Sequence, residues 1–205
     1  DGKKIKKKTK ILVLEGNARD ILSIERTTLN LLQHLSGIST LTSKFSNKIN
    51  SSKTILLDTR KTTPGLRTLE KYATYIGGAK NHRLNLAERF MIKDNHLLLN
   101  SKIFKKIRKM KINKRNTVIM ECDNLHQVKK AILLKIKHIL LDNMNIEKIK
   151  QASKLIGKSA KIEVSGGINL QNIEKISNIG VNFISVGAIT QSAPAAKISL
   201  ELEKI

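Results

Sequence analysis

The sequence predicts an α/β fold, a β/α barrel with about six parallel strands each followed by a helix. Three observations predict it. Short apolar runs recur from residue 54 onward, separated by stretches with helical spacing. The runs look buried along their whole length, as strands of a parallel sheet are when helices cover it. Each run also ends in polar or glycine-rich chemistry: DTRK, IKDN, MECD, LLDN, SGG and VGA. An open sheet fits the strand count equally. The shared chemistry of the strand ends favours the barrel, whose strands all deliver their C-termini to one mouth.

The elements follow in order. Residues 1–16 read as short strands with turns, DG opening and EGN closing them. NARDILSIERTTLNLLQHLSGIST then places Ile21, Ile24, Leu29, Leu32 and Leu35 near one helical stripe, which Ser36-Gly37 can stop or bend. FSNKINSSK (45–53) reads as a polar loop. TILLDTR (54–60) is the first strand, with a helix around LRTLEKYATYIG. RFMIKDN, TVIMECD, HILLDN, AKIEVSGG and NFISVGA supply the other strands. Their helices lie in NSKIFKKIRKMKI, LHQVKKAILLKI, IEKIKQASKLIG, LQNIEKISNIG and the terminal APAAKISLELEKI.

Composition narrows the function. The chain has 205 residues, 40% of them hydrophobic, which suits a packed core and excludes wholesale disorder. No apolar run is long enough to span a membrane, and the basic start lacks the pattern of a signal peptide. One cysteine, Cys122, cannot form an internal disulfide and fits a reducing cytoplasm. The formal net charge of +23 invites a nucleic-acid reading. The lysines are scattered among isoleucine and asparagine, however, and the few aromatics do not interleave with them, so specific nucleic-acid binding is not expected.

The strand ends carry the candidate site. In LLDTRKTTPGLR, Arg60 offers a planar fork for a carboxylate and Lys61 a compact charge for phosphate, with Pro64-Gly65 fixing the turn. His82 and Arg83 follow a glycine pair and can bind an anion. Lys93 ends an apolar run and requires an anionic ligand or a carboxylate neighbour, Asp94 being one candidate. Glu121 and Asp142 end two successive strands, where they can hold a divalent cation or ribose hydroxyls; Mg²⁺ kept with waters and phosphates is favoured. Cys122 should face the opposite side, into packing. Ser165 and Gly167, and then Gly187, expose backbone N–H groups after the last two strands, where barrels often bind phosphate. His34, His96, His126 and His138 look like ordinary loop or helix histidines.

ERTTLNLLQHLSGIST, LDTRKTTPGLRTLEKYA, GGAKNHRLNLAERFMIKDNH, MECDNL, LLDNM, VSGGI and ISVGAITQS together resemble the nicotinate-nucleotide pyrophosphorylase (carboxylating) family, the quinolinate phosphoribosyltransferases. The resemblance covers nearly the whole chain and implies transfer from 5-phosphoribosyl 1-pyrophosphate to quinolinate with Mg²⁺. The products are nicotinate mononucleotide, pyrophosphate and CO₂, the de novo step of NAD biosynthesis. By this match Arg60, His82, Arg83 and Lys93 hold quinolinate, and Arg26 reaches the same pocket from the partner subunit of a homodimer. Lys61, Glu121 and Asp142 serve the phosphoribosyl pyrophosphate and its Mg²⁺, and Ser165, Gly167 and Gly187 the 5-phosphate. A phosphoribosyltransferase for nicotinate or another aromatic acid is the nearest competitor, and a basic nucleic-acid-binding protein the more distant one.

The chain departs from the family pattern at Ala79 and Asn85, where glycine is usual, and at Gln191, where histidine is common. The larger departure is at the front, where most of the family's amino-terminal sandwich domain has no counterpart. The expected organisation is a sandwich remnant over 1–23, an incomplete or open β/α barrel with its leading helix over 24–190, and a carboxy-terminal helix over 191–205.

Overall fold

Asparagine sets where several helices begin, and apolar parity sets what the strands bury. The computed structural model describes residues 1–49, 53–85, 90–93, 96, 103–110 and 117–203. Helix α1 (Ala18–Asn47) leads into β1 (Ile55–Leu57), α2 (Arg67–Ile76), β2 (Phe90–Ile92) and α3 (Ile103–Lys109). β3 (Val118–Cys122), α4 (Leu125–Leu133), β4 (His138–Asp142) and α5 (Ile146–Ile156) follow, then β5 (Lys161–Ser165), α6 (Ile173–Ser177), β6 (Phe183–Ser185) and α7 (Ala188–Gln191). The side chains of Asn17, Asn124 and Asn145 accept backbone N–H bonds at the starts of α1, α4 and α5, removing orphan donors that a helix start otherwise leaves.

The six strands form one parallel sheet in the order β1-β6-β5-β4-β3-β2. Beyond β1, among the described residues, the sheet is extended only by a single parallel bridge between Leu57 and Lys80. Among the described residues the sheet does not close, so the fold is the open form of a β/α barrel. Strand side chains alternate between two faces. Met120, Cys122, Ile139, Leu141, Ile162, Val164 and Ile184 enter the main apolar cluster with Val128, Ala131, Ile149, Ala152, Ile156 and Ile176 from the covering helices. The opposite parity places Lys93, Glu121, Asp142, Glu163, Ser165 and Ser185 along the inner face. A buried isoleucine such as Ile139 anchors this arrangement; truncating one to alanine costs about 2–5 kcal/mol.

Four expectations are corrected. Ser36-Gly37 does not stop the leading helix: α1 runs unbroken to Asn47. Gly37 is there for close packing, since a Cβ would collide with the Pro194 carbonyl and lie 3.2 Å from Ala195 Cα. The polar segment after Phe45 continues that helix before it can loop, and residues 50–52 lie outside those described. No strand forms over residues 1–16. The carboxy-terminal helix expected over 191–205 is not present among the described residues; α7 ends at Gln191. Pro194 lacks a backbone donor, and the segment bonds to α1 instead: Ala196 N–H donates to the Gln33 carbonyl (2.9 Å) and Gln33 Nε2 to the Ile198 carbonyl (2.7 Å).

Candidate active site

Register brings the inner-face groups together. Ile92 pairs with Met120, so Lys93 follows beside Glu121, and Lys93 Nζ donates to Glu121 Oε2 at 2.6 Å. Asp142 pairs with Ser165, whose hydroxyl donates to Asp142 Oδ1 at 2.5 Å, while Asn143 Nδ2 donates to Oδ2 at 2.8 Å. Carboxylate oxygens of Glu121, Asp123 and Asp142 lie within 4.8 Å of one another. Burial raises the Glu121 carboxyl above its ordinary range, Lys93 opposes that rise, and Asp142 and Asp123 add to it. Asp123 joins the two carboxylates expected from sequence, giving an all-oxygen set of the kind hard divalent cations take.

One strand over, Glu163 occupies the inner face at no measurable exposure. It accepts from His138 Nε2 (2.7 Å), His82 Nε2 (3.1 Å) and the Ser185 hydroxyl. Burial by itself would raise this carboxyl, but opposing effects led by the hydrogen bonds from His138 and His82 hold Glu163 at about 2. His138 is thus a strand residue on the inner face, not a loop or helix histidine. Cys122 faces the other way as expected, and burial pushes its thiol up to about 12.

The DTRKTTPGLR loop is held from behind by acids. Asp58, on the helix side of β1, accepts from Lys71 Nζ (2.5 Å), Thr74 Oγ1 (3.1 Å), Asn81 Nδ2 (2.7 Å) and the His82 N–H (2.7 Å). Glu70 accepts from Thr63 N–H (3.2 Å) and His34 Nε2 (2.7 Å), tying the loop to both α2 and α1. Arg67 donates to Thr62 Oγ1 (3.0 Å) and to the Arg60 carbonyl (3.4 Å). Gly65, at φ +80°, makes the turn. These contacts leave Arg60 and Lys61 partly or fully exposed at the strand end.

Lys61 meets the turn and short helix that follow the last strand. Its carbonyl accepts from Thr190 Oγ1 at 2.6 Å, and a Cβ on Gly187 would stand 3.2 Å from Lys61 Cδ and 3.6 Å from the Gln191 side chain. Lys61, Gly187 and Gln191 are therefore neighbours. Gly166 and Gly167 both take positive φ, and a Cβ on Gly166 would strike Asn143. Arg83 is nearly buried, with Nη2 3.3 Å from Met91 Sδ and its N–H donating to His82 Nδ1 at 2.8 Å. Arg26 lies on α1 with its side chain 76% exposed and 3.9 Å from Glu25. Asp94 lies outside the described residues.

Sequence reasoning passed over Asp123, Asn143, Glu163, His138 and Ser185. For Glu163 a signal existed: a carboxylate flanked by Ile162 and Val164 shares parity with Ser165, and so shares its face.

The sequence and fold have counterparts among known proteins. A family model for the C-terminal domain of quinolinate phosphoribosyl transferase matches residues 38–201, and one for the N-terminal domain matches residues 1–36. The chain belongs to the quinolinate phosphoribosyltransferase family. It is 34% identical over 206 residues to the nicotinate-nucleotide pyrophosphorylase (carboxylating) of Mycobacterium leprae, covering 98% of this chain and 72% of that protein. Nicotinate-nucleotide pyrophosphorylase from Ehrlichia chaffeensis superposes with a TM-score of 0.83 at 40% identity, over 89% of this chain and 67% of that one. The Francisella tularensis pyrophosphorylase gives 0.79 at 43% identity, over 90% of this chain and 66% of that one. The chain spans 63% of a quinolinate phosphoribosyltransferase (decarboxylating) of Nicotiana tabacum. The chain thus spans roughly two thirds of the length of the relatives it matches.

Proposed function

We propose that this chain transfers the phosphoribosyl group of 5-phosphoribosyl 1-pyrophosphate to quinolinate with loss of CO₂, yielding nicotinate mononucleotide and pyrophosphate. The observation that carries the reading is the contact between Lys93 and Glu121, where a set of cations meets a set of carboxylates at adjoining strand ends. On the cationic side Arg60, Arg83 and Lys93, with His82 behind them, take the two carboxylates of quinolinate. On the acidic side Glu121 and Asp142 face the ribose, Lys61 the pyrophosphate, and Ser165, Gly167 and Gly187 the 5-phosphate.

The residues act by position and charge. As the bond from ribose C1 to pyrophosphate lengthens, the ribose gains oxocarbenium character, which Glu121 and Asp142 favour, while Lys61 favours the negative leaving group. The quinolinate nitrogen attacks C1 and becomes a pyridinium. The bond from ring C2 to its carboxylate then breaks, CO₂ leaves, the adjacent pyridinium stabilises the electron pair left on C2, and that carbon takes up a proton. Glu121, Asp123 and Asp142 would hold Mg²⁺, which when bound neutralises pyrophosphate charge. Arg26, exposed on α1, would complete the dicarboxylate pocket of a second copy in a homodimer. The lone buried thiol of Cys122 suits a reducing cytoplasm, and among the described residues no helix is long and apolar enough to cross a membrane.

The test is turnover. Purified chain with quinolinate labelled in its 2-carboxylate, phosphoribosyl pyrophosphate and Mg²⁺ should release labelled CO₂ and nicotinate mononucleotide in equal amounts. Nicotinate in place of quinolinate should give far less nucleotide. A folded chain that releases no CO₂, or that prefers nicotinate, overturns the reading.

A further inference from the structure

Glu163 collects three donors on its two oxygens: His138 Nε2 and His82 Nε2 on opposite sides, and Ser185 Oγ. A carboxylate this deep needs partners; their identity carries the inference. The second nitrogen of His82 is also engaged, because Nδ1 accepts the Arg83 N–H at 2.8 Å. An amide N–H only donates, so Nδ1 is bare and the ring proton sits on Nε2, directed at Glu163. The backbone on the other side is fixed as well, since the His82 N–H donates to Asp58 Oδ1 at 2.7 Å.

We propose that Glu163 is a positioning residue: it holds His82 as a strut, Nε2–H on the carboxylate and Nδ1 on the Arg83 amide, so that Arg83 is aimed at a substrate carboxylate. His82 then brings no positive charge to the ligand, because a doubly protonated ring would have to release the Arg83 amide. His138 braces the strut from below. Its ring stacks on Phe183 at 5.3 Å between centroids and 24° between planes, which keeps Nε2 on Glu163. Ser185, two residues before Gly187, completes the acceptor's set. A carboxylate that merely stabilised the core would affect both substrates alike; a strut ending on Arg83 affects the dicarboxylate alone.

The aiming of Arg83 at quinolinate rests on the proposed function, whereas the state of the His82 ring does not. Nitrogen-15 spectra of the histidine-labelled chain near neutral pH should show His82 neutral, with the proton on Nε2. In Glu163→Gln a single amide oxygen must serve three donors, so the unique tautomer should be lost. The KM for quinolinate should rise at least about tenfold, while that for phosphoribosyl pyrophosphate stays within about twofold. His138→Phe, which keeps Glu163, should give the same one-sided rise at smaller size, and it carries the kinetic arm if Glu163→Gln does not fold. A wild-type His82 protonated on Nδ1 or on both nitrogens overturns the strut, as does an equal change in both KM values or no change. If the wild-type chain turns over no quinolinate, the proposed function falls while the ring spectrum still decides on the strut.

Discussion

Lys93 and Glu121 neutralise each other across the β2–β3 pair at 2.6 Å, the cation 42% exposed at its side chain and the carboxylate 9%. A lysine ending an apolar strand needs an anion, and the neighbouring strand supplies it. A substrate carboxylate must draw Lys93 away from that partner. Lys93→Ala is therefore expected to raise the KM for quinolinate by roughly 30- to 1,000-fold, the size of a lost partly buried ion pair, with a much smaller change for phosphoribosyl pyrophosphate. Steady-state kinetics with each substrate varied in turn checks this, and equal losses in a folded variant would refute the assignment.

Glu163 should shape the acid limb of stability. Its carboxyl lies at about 2 in the fold against an ordinary 4.5, so the unfolded chain binds the proton first. The stabilisation is complete above about 4.5 and is lost as pH falls towards about 2. The gap in urea stability between wild type and Glu163→Gln should shrink by on the order of 2–3 kcal/mol between neutral pH and the acid end. A gap constant with pH would show that the two histidines do not hold this carboxyl down.

Gly37→Ala tests the packing of the carboxy-terminal segment. The added carbon must displace Pro194 and Ala195 from α1, at a cost of about 1–3 kcal/mol and several degrees of Tm. Gly16→Ala, with no atom within 4 Å of the new carbon, should leave Tm nearly unchanged. Thermal unfolding of both variants separates steric cost from helix propensity, which favours alanine at position 37.

Cys122 should be chemically silent. The thiol is fully buried and pushed up to about 12, so almost no thiolate exists near neutral pH. A disulfide reagent should label it only at the rate of unfolding, and rapid labelling of native protein would contradict the packing.

Arg26 gives a test of shared sites. Mixing inactive Arg26→Ala with inactive Lys93→Ala under subunit exchange places both lesions in one pocket of a heterodimer and leaves the other intact. Activity should return towards one site per heterodimer. No recovery despite demonstrated exchange would confine Arg26 to its own chain.

The strands were legible because apolar run and polar end coincide, as at IMECD and ILLDN, and parity alone separated Glu121 from Cys122. The DTRK loop was legible as chemistry but not as geometry. Asp58 sits in the same run as Arg60, yet it turns to the helix side to bind Lys71 and Asn81, partners that only the tertiary fold brings near. Glu70 and His34 illustrate the same limit, being 36 residues apart and joined by the α1–α2 packing. The terminal segment misled because APAAKISLELEK has helical composition, while Pro194 and the bonds to Gln33 hold it against α1. Glycine at position 37 looked like a terminator, because local sequence cannot tell a helix stop from a helix that another segment must approach.

The unbroken α1 has a mechanical corollary. Its 30 residues form a rod about 45 Å long, and the junction between the two family regions, at residues 36–38, falls inside it. There is no hinge at that junction, so twisting or tilting the amino-terminal end levers directly on the residues that brace the TTPG loop through His34 and Glu70. Dividing the protein there would sever a helix in mid-course and strip four carbonyls on one side and four N–H groups on the other of their partners. What reads in sequence as a border between two modules is, in the folded chain, a single shaft that both are mounted on.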